Sequence, residues 1–571
     1  MNKKSFTLRG LALLLVIALT AGALAACASA NPPAAVSAQS SQSASSGVSA
    51  EATAPPSQSA KNVDVLRIGT TYAASSYSAM NSNSAYGRMI YNSFCQLNFW
   101  AFDENGEISS DGCFFRSWEV SDDNTQLTLK FDTNGLFWHD GEAVTSDDVV
   151  FTMEYYKAQN YPWFLRITGI EVLDEGTVRL TFNDNYAFSF VNSTNLMYVI
   201  LPQHIWENVE NPGQYAGADA AIGCGPYRFV SADESAQVSY YEAVENYPLG
   251  EITVDKVELH SYDNQSSLIM AMLNNEIDVM FGYSASLDTT LLPLIENDSN
   301  IDSGESLNSA TYQIMFGFNQ HPTDDINFRL AVRHALDYDL LNNSLTGGFG
   351  QVANLGAVSP ACLGYDDSIA ANTRDLDKAK QILDAAGYAD VNGDGLRELP
   401  DGSEMDVKIA LQSGSDLYKR IAEMIQINLA EVGIKVSVDE QTISNSDYAV
   451  QLRMEGTYEI YIGMTTVGIA QWTGIASYLA DVTITSGQHF GTYADEKYLA
   501  AYNGMLYSSN YDEYSESFKT IQAMNASDCP GIALAIMKTF YPYRTDKITG
   551  WSNYPAWGVL NPRTWYNAVT E

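Results

Sequence analysis

Asp390, Asn392, Asp394, Glu398 and Asp401 stand at positions 1, 3, 5, 9 and 12 of a twelve-residue run, with Gly395 at position 6. Hard oxygen donors at that spacing around a glycine turn suit Ca²⁺, so these five are the candidate metal ligands, for a structural ion. Two features weigh against a helix–loop–helix site. Asp replaces Glu at the last position, and Val407 and Ile409 continue as a strand instead of an exiting helix. A tight turn is the alternative for the same residues. Other chemistry is thinner. The six histidines, at 139, 204, 260, 321, 334 and 489, form no H-E-x-x-H and no close pair, which argues against a zinc hydrolase and a His-clustered nickel site. Neither G-x-S-x-G nor G-x-x-x-x-G-K-[ST] occurs. No residue set supports catalysis and none requires a cofactor, so the chain reads as a non-enzyme.

A different chemistry is written at the N-terminus. Lys3, Lys4 and Arg9 precede an apolar stretch from Leu11 to Ala26, which closes on Leu24-Ala25-Ala26-Cys27. That ending resembles a bacterial lipobox, which predicts export, cleavage after residue 26 and lipidation of Cys27. Leu11 to Ala26 is short for a membrane span and no basic cluster follows it. Two acyl chains on a lipidated cysteine suffice for stable anchoring, so the mature body is expected to be tethered to the outer face of the cell membrane. Residues 27–61 are almost wholly Ser, Ala, Pro, Gln and Val. Such a segment cannot bury enough apolar surface to offset its chain entropy and reads as a disordered leash.

The body behind the leash is acidic. Formal charge is −39 from 30 Lys+Arg against 69 Asp+Glu, and losing Lys3, Lys4 and Arg9 with the signal takes it three units lower, to −42. Nucleic acid and anionic surfaces are poor partners for such a chain. With 571 residues, 46% of them hydrophobic, it has material for more than one core, and length alone suggests about three or four domains. Five cysteines remain besides Cys27, at 95, 113, 224, 362 and 529, with neither a dense disulfide framework nor a CxxC pattern. They read as isolated buried thiols, with Cys95 and Cys113 the one pair that an oxidising compartment could bridge.

Strand-like and helix-like stretches alternate along the body. Val63 to Gly69 reads as a first strand, and Leu127, Leu129 and Phe131 alternate with polar residues as a half-buried one. Thr145 and Asp148 form a capping box that opens a helix burying Val149, Met153 and Tyr156. Further helices end at Gly387 and Gly433, the latter leading directly into a strand at Ile434, Val436 and Val438. The class is mixed α/β without internal repeats. The absence of a second low-complexity linker points to domains joined by more than one chain crossing.

Phe137-Trp138-His139-Asp140-Gly141 runs on to Asp147-Asp148-Val149-Val150-Phe151, followed by Gly223-Cys224-Gly225-Pro226-Tyr227, Asn275-Glu276-Ile277-Asp278 and Arg329-Leu330-Ala331-Val332-Arg333-His334-Ala335-Leu336-Asp337. Together these motifs resemble the extracellular solute-binding proteins that serve peptide and nickel importers of the ATP-binding-cassette (ABC) type, the second being similar to that family's G-T-G-P-Y and the third to its G-E-I-D. These residues read as scaffold, not as ligand contacts. The resemblance implies a two-lobed, periplasmic-binding-protein-like fold of type II with three domains and a hinge between lobes. It places lobe I at 62–97, 222–310 and 530–571, a subdomain inserted in it at 98–221, and lobe II at 311–529. It further implies a monomer that closes on a small solute and delivers it to a permease and ATPase complex.

Peptide-binding members carry W-x-A-D-Y, whose aspartate meets the peptide ammonium; the matching stretch here has Gln471, which cannot neutralise a buried charge. Trp472 is placed to stack on a sugar ring or an apolar side chain, with Gln471 and Thr473 supplying hydrogen bonds. Tyr72 and Tyr312 are further candidates, because the resemblance puts both where the cleft opens. A peptide is the expected ligand by family and an oligosaccharide the alternative. The same fold could also serve a sensor, and a secreted hydrolase is the reading from another class.

Overall fold

The computed structural model describes residues 62–72, 77–80, 94–105, 107–193, 198–281, 286–411, 416–466, 492–554 and 558–570. Its centre is a pair of long antiparallel strands, Ile301–Phe316 and Gly531–Arg544. They pair from Ile301 opposite Arg544 to Leu307 opposite Lys538, shift register, and pair again from Thr311 opposite Ile536 to Met315 opposite Gly531. On one side of the shift the sheet continues through Val279–Met280, Leu66–Thr70, Lys256–Ser261, Val238–Ala243 and Tyr227–Asp233. On the other it continues through Ile460–Thr466, Val407–Leu411 and Val436–Val438. One ten-stranded sheet therefore consists of two half-sheets that share two strands.

Each half has its own core. Val257, Leu259, Val279, Tyr227 and Tyr241 pack in the first half. In the second, Ile314, Phe316, Ile460, Ile462, Ile532 and Leu534 face helices Ile326–Ala335 and Asp416–Ala430. The alternation along Ile301–Phe316 follows from the pleat: Ile314 and Phe316 turn to one face, while Gln313 and Met315 turn to the other. The helix Leu376–Ala385 and the strand Val436–Val438 lie where the apolar spacing predicts, and Gly387 and Gly433 take left-handed backbone beyond their helices.

Between the first strand and Tyr227 the chain builds a separate antiparallel sheet, ordered Phe115–Val120, Gln126–Phe131, Thr177–Phe182 and Ile167–Asp174. Helix Ser146–Ala158 covers it. Its capping box forms as expected, with the Thr145 N–H donating to Asp148 Oδ2 at 2.9 Å, and Val149, Met153 and Tyr156 are buried. Such a box is worth about 1 kcal/mol. Inside this insert, Phe164 meets Tyr156, Tyr198 and Phe190 at ring-centroid distances of 4.8, 5.0 and 5.3 Å. Aromatic pairs of this kind add ~0.5–1.5 kcal/mol each beyond burial.

The sequence motifs turn out to be braces. His139 Nε2 lies 3.1 Å from the Gly225 carbonyl, and the Gly223 N–H donates to His139 Nδ1 at 3.3 Å. Burial, the largest influence on that ring, lowers the His139 pKa to about 4. A Cβ on Gly223 would stand 2.0 Å from the Cys95 carbonyl oxygen, so only glycine fits there. Asp278, nearly fully buried, is gripped by Arg67 through Nε at 3.0 Å and Nη2 at 2.5 Å. Arg329 is 3% exposed and donates to the carbonyls of Thr323, Asp324, Asp528 and Cys529. These contacts give the motif residues structural work, in line with the scaffold reading. The five cysteines from 95 to 529 are buried and none of them forms a disulfide, and desolvation pushes the Cys113 and Cys362 thiols up to about 12.

Candidate ligand cleft

Strand direction defines the site. Val279–Met280 is antiparallel to Gly531–Arg544, and Leu66–Thr70 is parallel to Val279–Met280, so both run toward the middle of the shared pair. From the other half, Ile460–Thr466 runs antiparallel to Ile301–Phe316 until Thr466 meets Ala310, with Val407–Leu411 parallel to it. Four carboxyl-terminal strand ends, at Thr70, Met280, Leu411 and Thr466, thus point at the register shift from opposite sides. In open α/β sheets ligands bind outside the carboxyl ends of strands, because chain reversals there leave a crevice lined by loops. Two such edges facing each other across two strands make a cleft that can close.

Tyr72 stands at the rim of the first edge. Its N–H donates to Thr70 Oγ1 at 3.1 Å and its carbonyl accepts from Ser261 Oγ at 2.8 Å, which fixes the backbone and leaves the ring half-buried. Tyr312 lies in the second core, 5% exposed and edge-on to Tyr418 at 6.2 Å, and burial pushes its hydroxyl up to about 12. In this arrangement it is a core aromatic. Gln471, Trp472 and Thr473 lie outside the described residues, as does Cys27. The strand that precedes Gln471 ends at Thr466, on the cleft edge.

The acidic loop sits elsewhere, after helix Leu376–Ala385. Oxygens of Asp390, Asp394 and Glu398 lie within 4.8 Å of one another. Each already has donors from its own loop: Gly393 and Gly395 N–H to Asp390, Leu396 N–H to Asp394, and Val391 N–H with the Asn392 amide to Glu398. Asn392 accepts from the Asp394 N–H, and Asp401 accepts from the Ser403 N–H and hydroxyl in a turn of its own. The sequence spacing therefore brings Asp390, Asp394 and Glu398 together with Asn392 bonded to them in the same loop, leaves Asp401 in a separate turn, and the loop's backbone uses the same oxygens.

The described residues include open cavities away from these strand ends. One of about 590 Å³ is lined by Lys497, Asp512, Glu516 and Lys519, and one of about 330 Å³ by His139, Arg228 and Glu242. Neither is lined by the four strand ends. A further cluster left no trace in the sequence: Asn124, Arg166 and Ser189 of the insert meet the turn after helix Glu496–Leu506. These partners are more than 300 residues apart, and no periodicity or local motif reports such a contact.

Comparison with known proteins places this geometry. The model of bacterial extracellular solute-binding proteins, family 5 (middle region), matches residues 114–480. The chain belongs to that family. This family 5 protein is 24% identical over 523 residues to heme-binding protein A of Haemophilus influenzae, covering 85% of this chain and 86% of that one. It is 26% identical over 316 residues to the oligopeptide-binding protein AppA of Bacillus subtilis, covering 53% of this chain and 56% of that protein. Among solved structures it resembles the mannohexaose-bound periplasmic oligopeptide-binding protein of an oligopeptide ABC transporter from Thermotoga maritima. That match has a TM-score of 0.67 at 21% identity and covers 89% of this chain and 99% of the other. The fold is the two-lobed, three-domain architecture of type II solute-binding proteins, as the motifs implied. The family is one of extracellular solute-binding proteins, relatives from Brucella are named as putative ABC transporter peptide-binding proteins, and among the described residues no helix is long and apolar enough to cross a membrane.

Proposed function

We propose that this family 5 protein captures a small oligomeric solute between its lobes and delivers it to the permease and ATPase of an ABC importer, held near them by a lipid on Cys27. The observation that carries the reading is the opposition of four strand carboxyl ends across a two-strand hinge. A ligand touching both edges has more contacts in the closed state than in the open one, so it shifts the population toward closure, which a permease can read. We assign 62–97, 222–310 and 530–571 to lobe I, 98–221 to its inserted subdomain and 311–529 to lobe II. The register shift between Leu307 and Thr311 supports the boundary at the hinge.

For the ligand we propose a peptide-like or saccharide oligomer with neutral polar edges, contacted by Gln471, Trp472 and Thr473, with Tyr72 at the rim. Gln471 in place of a carboxylate supports this, and the mannohexaose carried by the Thermotoga relative shows that the fold accommodates sugars in that protein. Calcium at Asp390, Asp394 and Glu398 would be a structural ion, its role to fix a turn.

A thermal-shift screen of peptide and oligosaccharide libraries, read together with intrinsic fluorescence from the nine tryptophans, tests the function. Stabilisation and a spectral change without consumption of the ligand are expected. Turnover of the ligand into product would overturn the binding-protein reading, and stabilisation by sugars alone would end the peptide one. Gln471→Asp should strengthen binding of peptides with free amino termini if the position faces that ammonium. Cys27→Ala should move the protein from the membrane fraction to the soluble one.

A further inference from the structure

Besides the hinge strands, the lobes also touch far along the chain from the hinge. Helices Glu496–Leu506 and Tyr511–Asp528 form a hairpin whose far end is fastened to lobe II, where Arg329 and Arg333 donate to the carbonyls of Asp528 and Ala526. The near end, the turn at 507–510, reaches the insert of lobe I. There Ser189 Oγ donates to the Leu506 carbonyl at 2.5 Å and Asn124 Nδ2 to the Ser508 carbonyl at 3.0 Å. Arg166 Nη1 donates to the Tyr507 hydroxyl at 3.2 Å, with its guanidinium 4.5 Å above the Tyr186 ring and 5.5 Å from that of Tyr507. Phe188 meets Tyr511 edge-on at 5.1 Å, and the Tyr511 hydroxyl lies 3.2 Å from Asn192 Oδ1.

We propose that this turn is a closure latch, made when the lobes come together and released when they part. The chemistry fits a reversible contact. The carbonyls at a helix C-terminus lack intrahelical donors, and water serves them as well as a side chain does. Leu506 and Ser508 therefore keep a partner in the open state as in the closed one. Asn124 is prepared for the role within its own lobe: its Oδ1 accepts from the Phe188 N–H at 2.8 Å and its Nδ2 also donates to the Asn185 carbonyl at 2.8 Å, which holds the amide in place whether or not the turn is docked. Because the hinge joins the lobes through strands and the latch joins them through the insert, a docked latch leaves the hinge no room to rotate. The equilibrium between open and closed forms is then set partly by residues that touch no ligand.

Small-angle X-ray scattering on protein refolded from denaturant, and so stripped of carried-over solute, tests this without any ligand. Tyr507→Ala is expected to enlarge the radius of gyration relative to wild type while circular dichroism is unchanged, and Tyr507→Phe, which removes only the hydroxyl, to enlarge it less. Should Tyr507→Ala fail to fold, Ser189→Ala combined with Tyr507→Phe is read in the same way. A radius unchanged from wild type in a folded variant overturns the latch. Since no solute is added, that result would leave the import function standing, and failure of the ligand screen would leave the latch standing.

Discussion

The insert is attached at both ends by unlike chemistry. Toward lobe I, His139 lies between Gly223 and Gly225, and Gly223 packs so closely on Cys95 that a single Cβ would stand 2.0 Å from its carbonyl oxygen. Toward lobe II, the buried donors Ser189 and Asn124 reach the carbonyls of Leu506 and Ser508 at the end of a helix, with Tyr507 half-buried between them. The first junction is fixed by backbone that cannot step aside, the second by hydrogen bonds that water can replace once the surfaces part. Under the proposed capture mechanism only one end can stay rigid, and the sterically exclusive one is on the lobe whose chain threads through it.

The largest way to break this comparison is Gly223→Ala. The new methyl meets backbone of Cys95, which cannot step aside as a flexible side chain would, so a loss of ~3 kcal/mol or more is expected in urea denaturation. A loss below about 1 kcal/mol would mean that the junction yields. Next in size is a pH effect at the same place. The folded pKa of His139 is depressed to about 4, so between the ordinary value near 6.5 and about 4 the unfolded chain binds a proton that the folded chain refuses. Stability from this group is complete above that window and falls as pH drops through it. The full effect is ~2 kcal/mol once the water reaching its cavity face is allowed for. Comparing wild type with His139→Gln in urea at pH 7 and pH 4.5 isolates it: the variant should lose less stability on acidification. An equal loss in both would remove His139 from the account.

Legibility in the sequence follows the same division. His139, Gly223, Gly225, Asp278 and Arg329 stood out because a brace that tolerates one residue type leaves a motif, and those motifs implied the fold and family that the comparisons bear out. Thr145 with Asp148, and the helix ends at Gly387 and Gly433, were equally readable because capping is local. The latch was not. Asn124, Arg166 and Ser189 are ordinary polar residues in the sequence, and their partners at 506–508 are chosen by packing alone. Tyr312 was ambiguous for a related reason: a position near a chain crossing says nothing about which face of the strand its ring takes, and here the pleat sends it into the core beside Tyr418. The acidic loop at 390–401 has the spacing of a cation site, yet its carboxylates first answer the N–H groups of the glycine turns between them.

The smallest expected effect discriminates most sharply between the two junctions. Asp184 pairs with Arg166 at 2.5 Å and is itself 30% exposed, so the pair is worth ~0.5–1 kcal/mol. Its use is orientation: the carboxylate holds the guanidinium in reach of Tyr186 and Tyr507. Asp184→Asn should barely shift global unfolding, because water replaces the lost charge contact, yet it should speed amide hydrogen exchange around 505–511 and in helix Ala187–Ser193, where the latch residues lie. Raising salt toward 1 M should narrow the difference from wild type, as expected for a pair that solvent reaches. Were Asp184→Asn to destabilise the whole protein as Gly223→Ala does, Arg166 would belong to the rigid junction and the two ends of the insert would not differ in kind.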